Sequence, residues 1–440
     1  MEQVELRYLP EFLTRQRWFA GKSEPITQIL LVDHVPVGSH GDLIGVIEVQ
    51  YGMAQPERYL LPVRQTELGL VDALEDPELT QALLALIEGG QELATASGKI
   101  RGERIGDPAR WPALPASPNV RALGVEQSNT SVVIEERLIL KVIRKLALGE
   151  SLELEMGRFL SKTRFANTPA LLGAATLEGS AAATIAILHE LLPGAVDGWR
   201  HALDSLSAGK GEVSPALLGE VGELGKMLGE LHTALASDPE DPAFSPEPLT
   251  QADLQRWSSS IIGELGVTLA MAEPRFPELE RARDPVFEKA RTLARVPATG
   301  MKIRQHGDLH LGQVLKTAKG WFVIDFEGEP TRSVASRREK HSPLRDVAGM
   351  LRSFHYAVAT AGLEGKPRRS ALKRLRKAFV DGYCAVPEIK ALLPESDETF
   401  DAVLGALELE KVLYEVRYEL QLRPDWARIP VEALLPEEGT

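Results

Sequence analysis

The sequence is short of several residue types, and each shortage narrows what the chain can do. One cysteine, Cys384, stands among 440 residues, so an internal disulfide and a multi-cysteine zinc site are both excluded. It sits in a helical pattern with Phe379, Val380, Tyr383 and Val386 and reads as an inert thiol, buried or half-buried. Basic residues are outnumbered, 50 against 63 acidic ones, for a net charge of −13. That balance argues against nucleic acid as a partner, because polyanion binding rests on clustered Lys and Arg. No run approaches the ~18–20 apolar residues of a membrane span. The start, Met1-Glu2-Gln3-Val4-Glu5, is acidic and lacks the apolar segment of a secretory signal. A cytoplasmic protein with no membrane association is the expectation. What remains, 44% hydrophobic and 26% charged residues, is an ordinary globular composition, long enough for two or three packed units.

Three units follow from the pattern. In residues 1–90, an amphipathic helix is expected over 1–22, with Leu6, Leu9, Phe12 and Leu13 on one side. Branched, extended segments follow at 29–37, 43–51 and 58–63. Val71, Leu74, Leu79, Leu83, Leu84 and Ile87 then recur at helical spacing up to Gly89-Gly90. Residues 91–200 carry short strand signals near 93–100 and 120–126, a hairpin over 131–135 and 137–143, a helix at 151–165 and a strand at 184–190. Residues 201–440 are mostly helical, interrupted by one strand–loop–strand insert at 301–326. The fold class is α+β and bilobal, with an N-terminal cap and a helical C-terminal lobe.

The insert carries the chemistry: Gln305-His306-Gly307-Asp308-Leu309-His310-Leu311-Gly312-Gln313, then Ile324-Asp325-Phe326-Glu327. Phosphoryl transfer asks a protein for positioning, Mg²⁺ and a group to orient the attacking hydroxyl. In kinase catalytic loops an Asp accepts the acceptor proton and an amide-bearing residue five positions on holds metal; Asp308 and Gln313 have that spacing. Asp325 follows the apolar strand Trp321-Phe322-Val323-Ile324, which presents a hard oxygen ligand suited to Mg²⁺. His-Gly-Asp alone would be an ordinary turn, so the whole combination is what carries the reading.

Upstream, Leu138-Ile139-Leu140-Lys141-Val142 places a lysine in a buried strand, and a buried lysine needs a partner. Glu153 and Glu155 on the next helix are available, and Glu155 is preferred because it leads into Arg158-Phe159-Leu160. Gln127-Ser128-Asn129-Thr130-Ser131 occupies the place of a phosphate-covering loop without a single glycine; its hydroxyl and amide groups can donate to phosphate oxygens. His189-Glu190-Leu191-Leu192-Pro193 stands at the hinge position, where the backbone of Glu190 and Leu192 would meet a purine edge.

With these motifs the chain resembles the maltokinases, in the aminoglycoside-phosphotransferase-like branch of the kinase superfamily. Further marks are Arg15-Gln16-Arg17-Trp18-Phe19-Ala20-Gly21-Lys22, the segment from Pro343 to Phe354, Tyr414-Glu415-Val416-Arg417-Tyr418-Glu419 and Arg423-Pro424-Asp425-Trp426. The resemblance implies ATP- and Mg²⁺-dependent phosphorylation of maltose at its anomeric hydroxyl, feeding α-glucan synthesis from trehalose. Asp308 would be the general base, Gln313 and Asp325 metal ligands, and Lys141 with Glu155 the phosphate-positioning pair. His310, Glu327, Arg345, Asp346, Tyr356, Tyr414, Arg417 and Tyr418 are the sugar-site candidates, the last three at i, i+3 and i+4 on one helix face. Tyr414 and Tyr418 read equally well as core aromatics, and Arg345-Asp346 as a brace for the catalytic loop. Glucosamine is the competing acceptor, with Glu327, Glu329 or Glu415 to meet its amine; an aminoglycoside and a non-catalytic pseudokinase are the weaker readings. A monomer or homodimer, with a trehalose-isomerising enzyme as a partner, completes the expectation.

Overall fold

The computed structural model describes residues 8–38, 41–67, 69–123, 129–163, 165–179, 181–209 and 212–435. The chain divides into two compact units, Met1–Pro193 and Gly194–Thr440. Among the described residues, no helix is long and apolar enough to cross a membrane.

The first unit holds α1 (Leu9–Arg15), β1 (Ile26–Val37), β2 (Asp42–Tyr51), β3 (Glu57–Thr66), β4 (Gly69–Asp72), α2 (Pro77–Gly89), β5 (Glu92–Ala94), β6 (Gly98–Arg104), β7 (Val120–Ala122), β8 (Asn129–Ile134), β9 (Leu138–Ile143), β10 (Lys145–Leu146), α3 (Leu152–Thr163), β11 (Leu171–Gly179) and β12 (Ala183–Glu190). Strands β1-β2-β3-β10 form one antiparallel sheet with β4 also on β3; β5-β6-β11-β12-β9-β8-β7 form a second. The alternation of β2 explains why the first sheet is buried on both faces. Leu43, Ile47 and Val49 join Leu9, Leu13, Trp18, Phe19 and Tyr59 on one side. Ile44 and Val46 join Leu79, Leu83 and Ile87 of α2 and Ile100, Leu140 and Leu188 of the second sheet on the other.

One of the two cores is shared between the cap and the second sheet. The first 90 residues close one core of their own between α1 and the first sheet and share a second: α2 lies against β6 and β11, and β10 completes the first sheet from far along the chain. Trp18 and Phe19, each 2% exposed, anchor α1 onto the sheet, with ring centroids 6.0 and 5.1 Å from Tyr59. Burying a side chain of this size contributes about 2–3 kcal/mol.

Local differences have local causes. The expected helix over 1–22 is α1 alone within the described residues, because the chain extends at Gln16 to send Trp18 and Phe19 inward. The helix expected from Val71 starts at Pro77: Asp76 caps it by accepting from Glu78 N–H, and Val71 pairs in β4. Strand β11 (Leu-Leu-Gly-Ala-Ala-Thr-Leu-Glu-Gly) has no branched run and gave no sequence signal.

The second unit contains β13 (Val196–Asp197), α4 (Gly198–Ala208), α5 (Pro215–Leu235), β14 (Glu247–Pro248), α6 (Gln251–Ala272), α7 (Arg283–Leu293), β15 (Met301–Lys302), β16 (Val314–Thr317), β17 (Gly320–Val323), α8 (Val334–Arg338), α9 (Leu344–Thr360), α10 (Gly365–Cys384), α11 (Asp397–Leu422) and α12 (Arg428–Glu432). Helices α5 and α10 meet backbone to backbone: a Cβ on Gly225 would lie 2.0 Å from Phe379 O. That approach brings His232 of α5 to Tyr383 of α10, with His232 Nδ1 2.9 Å from the tyrosine hydroxyl. Cys384, at the end of α10, is half-buried.

Candidate active site

In the second unit, the loop from His306 to Gln313 is clamped onto α9. Asp346, 1% exposed, accepts from His306 N–H at 2.8 Å and Gly307 N–H at 2.9 Å, while His232 Nε2 lies 3.1 Å from the same carboxylate. Ser353 Oγ accepts from Leu311 N–H at 3.0 Å, and Gly349 leaves room for Leu309 O, which a Cβ would approach to 2.6 Å. His306 Nδ1 accepts from Asp308 N–H, and its other nitrogen meets Ile324 O at 2.9 Å, tying the loop to the segment that carries Asp325. Burial alone would raise the Asp346 pKa, but His232 and these backbone donors hold it below the ordinary carboxylate value.

The placement removes Asp346 from the sugar candidates: every observed partner is internal, and the carboxylate is spent on holding the loop. Arg417 is turned toward α6. It bonds Thr268 Oγ1 at 2.8 Å and pairs with Glu264 on α6, while Tyr414 and Tyr418 stack with centroids 6.0 Å apart.

Asp308 faces Lys411, whose Nζ lies 3.0 Å from Oδ1 and 5.0 Å from the Tyr414 ring centre. Burial pushes the Asp308 pKa up, yet the lysine charge, aided by His310 and His306, leaves it net lowered. Lys411 is correspondingly raised against its own burial, chiefly by Asp308 and Glu329. His310 is lowered by burial, so its imidazole is neutral at pH 7; Nδ1 accepts from Gly312 N–H. Lys411 had no sequence signal of its own. It lies three residues before Tyr414 and seven before Tyr418, on the face those tyrosines define.

The acids around this group already have cations. Glu329 accepts from Arg332 at 2.9 Å, Glu410 from Arg332 and Arg345 at 3.1 and 3.2 Å, and Glu415 from Arg352 at 2.9 Å. Tyr356 donates to Glu419 at 3.1 Å. Glu327 is half-buried, and its carbonyl accepts from Arg337.

Asp325 has φ +67°, a left-handed backbone that a non-glycine residue adopts at a cost of about 1–3 kcal/mol. The conformation turns the strand end so that Oδ2 accepts from Gln313 Nε2 at 2.8 Å. A carboxylate and an amide oxygen donor held together in this way form a hard-oxygen set that fits Mg²⁺.

The first unit holds the other expected residues. Lys141, 9% exposed, bonds Glu153 Oε2 at 2.7 Å, and His189 Nε2 stands 3.4 Å from Glu153 Oε1. The partner observed is Glu153, where Glu155 is the sequence expectation. Positions two apart on a helix point about 200° apart, and it is 153 that turns toward β9 while 155 is only half-buried. Burial opposes the charge on Glu153, but Lys141 and His189 outweigh it and hold the carboxyl well below its usual range. Asn129, Thr130 and Ser131 are not loop residues. They open β8, opposite Ile143, Val142 and Lys141 of β9, with Asn129 and Ser131 buried. Ser128 lies outside the described residues. In the segment expected as a hinge, Glu190 N–H is taken by Ala170 O, its side chain is 3.7 Å from Arg110, and Leu192 is half-buried.

Residues 119–328 match the phosphotransferase enzyme family, and residues 12–93 match the maltokinase N-terminal cap domain. The chain is a kinase-type phosphotransferase with a maltokinase-type cap. Among curated proteins it resembles a glucosamine kinase of Streptacidiphilus jiangxiensis, 29% identical over 72% of this chain and 74% of the relative. A second, from Mycolicibacterium smegmatis, is 29% identical over 73% and 80%. A solved glucosamine kinase in complex with glucosamine, ADP and inorganic phosphate superposes with a TM-score of 0.71 over 97% of this chain and 99% of that one, at 22% identity. That likeness shows the fold, shared over nearly the whole chain.

Proposed function

We propose that this phosphotransferase is an ATP-dependent maltokinase. Asp308 takes the proton of the anomeric hydroxyl as that oxygen attacks the γ-phosphorus; the bond from γ-phosphorus to the β–γ bridging oxygen breaks and ADP leaves with the electron pair. Lys141, fixed by Glu153, holds nucleotide phosphates. Gln313 and Asp325 would hold Mg²⁺, which supplies charge neutralisation to the phosphates. The sugar lies among His310, Lys411, Tyr414 and Tyr418, with tyrosine rings available to its apolar faces. A sugar 1-phosphate is an activated glycosyl donor, which accords with the α-glucan route the sequence resemblance implies.

The observation that carries maltose over glucosamine is Lys411 against Asp308. A glucosamine ammonium placed beside the base sits near this second cation, while Glu329, Glu410 and Glu415 are already engaged by arginines. Lys411 already neutralises Asp308, so the base offers an ammonium no unpaired carboxylate. The cap match points the same way. The curated relatives favour glucosamine, so that reading stands as the alternative.

Steady-state turnover of ATP with maltose, glucose, glucosamine and an aminoglycoside decides between them: maltose is expected to be the efficient acceptor, and turnover of glucosamine alone overturns the proposal. Lys411→Met is expected to lower kcat/KM for maltose tenfold or more and to narrow the maltose-to-glucosamine preference. An unchanged preference removes Lys411 from specificity.

A further inference from the structure

Arg144 is fully buried, 1% exposed, and has no role in the chemistry described above. It lies at a bend between β9, which carries Lys141, and β10, so that one continuous chain segment leaves the second sheet and enters the cap sheet at this residue. Leu60 N–H of β3 donates to Arg144 O at 2.8 Å, securing the crossing. The guanidinium spans both sides. Nη2 donates to Asp72 Oδ2 at 2.6 Å, at the end of β4; Nε donates to Thr130 Oγ1 at 2.9 Å, at the start of β8. Among the described residues Nη1 has no hydrogen-bond acceptor; the guanidinium carbon instead stands 5.0 Å from the Trp18 ring centre, where the π-face offers negative charge to a desolvated cation.

These contacts are more than a strut. An unpaired buried arginine is costly, and a lysine or apolar residue would close the core with fewer constraints. The fork geometry fixes a hydroxyl on β8 to a carboxylate and an indole from the cap, all inside one unit. Thr130 pairs with Val142, the neighbour of Lys141. The start of β8 and the strand holding Lys141 are therefore both tied, through Arg144, to cap residues.

We infer that Arg144 is a positioning residue through which Asp72 and Trp18 of the cap set the nucleotide affinity of the β8–β9 hairpin. This rests on the reading of that hairpin as the ATP side of the kinase. The cap is then required for tight nucleotide binding, although it supplies no group to the reaction.

The test uses the full chain and ADP with Mg²⁺ as the probe, followed by calorimetric titration, so that it does not depend on the identity of the sugar. Asp72→Asn removes the charge facing Arg144 while an oxygen remains to cap Leu74 N–H. Arg144→Lys keeps the cation and loses the fork. Both are expected to weaken ADP binding five- to tenfold and to raise KM for ATP similarly, with the acceptor KM moving less than twofold. Leu79→Ala, a buried α2 position outside the relay, controls for stability: it lowers the melting temperature and leaves ADP affinity within twofold. ADP affinity within twofold of wild type in both relay variants overturns the inference, as does equal weakening by Leu79→Ala. Absence of ADP binding by the wild-type chain sinks the underlying kinase reading instead.

Discussion

Asp308→Asn is expected to lower kcat by about three orders of magnitude, within the 10²–10⁴ range for loss of a general base. The amide keeps the shape of the side chain and a contact to Lys411, so nucleotide binding persists and the loss falls on kcat. The pH profile gives an independent check. Because Lys411 and the nearby histidines hold the Asp308 pKa below its ordinary value, the carboxylate is ionised throughout the neutral range. The acid limb of kcat/KM therefore lies below the usual carboxylate titration. Removing the lysine charge in Lys411→Met relaxes that depression, so the limb moves to higher pH. A limb that stays put, or an Asp308→Asn enzyme with near-full kcat, contradicts the assignment of Asp308 as base.

Asp346→Ala is expected to be the most damaging change away from the reacting atoms. It orphans the N–H groups of His306 and Gly307 and leaves His232 facing an empty site. Each buried unsatisfied group costs about 1–3 kcal/mol, and loss of the carboxylate from such a cluster about 3–5 kcal/mol in all. For a unit of this size that corresponds to a fall of roughly 10 °C in melting temperature. Activity should fall further than stability implies, because a shift of ~1 Å in Asp308 costs about a hundredfold in rate. Asp346→Asn retains one acceptor and should fall between the two. Thermal unfolding and kcat measured on the same preparations check both; a wild-type melting point with wild-type kcat contradicts the clamp.

The legible part of the site was the part written locally in the chain. Asp308, Gln313 and Asp325 share one short insert, and motif spacing alone could bring Gln313 to Asp325. Lys411 was not legible, since nothing local to α11 says that one lysine among its charges turns toward a loop 103 residues earlier. Glu153 and Glu155 are both acidic, and only the packing of α3 turns Glu153 inward onto Lys141. Asp346 was weighed as either brace or sugar ligand, and its burial decides for the brace. The small polar side chains of Asn129 and Thr130 suggest a loop, yet their register opposite Ile143 and Val142 makes them strand, continuous with the strand expected from Ser131. Arg144, flanked by Ile143 and Lys145 in a run that reads as simple strand, gave no sign that it gathers Trp18, Asp72 and Thr130.

The most direct test of the central claim is the structure of the product. After incubation with ATP, Mg²⁺ and maltose, ³¹P nuclear magnetic resonance with proton coupling should show one new phosphomonoester coupled to the anomeric proton of the reducing glucose, with ADP formed in equal amount. A phosphate coupled to the C6 protons of glucosamine under matched conditions, with maltose unmodified, would contradict the account.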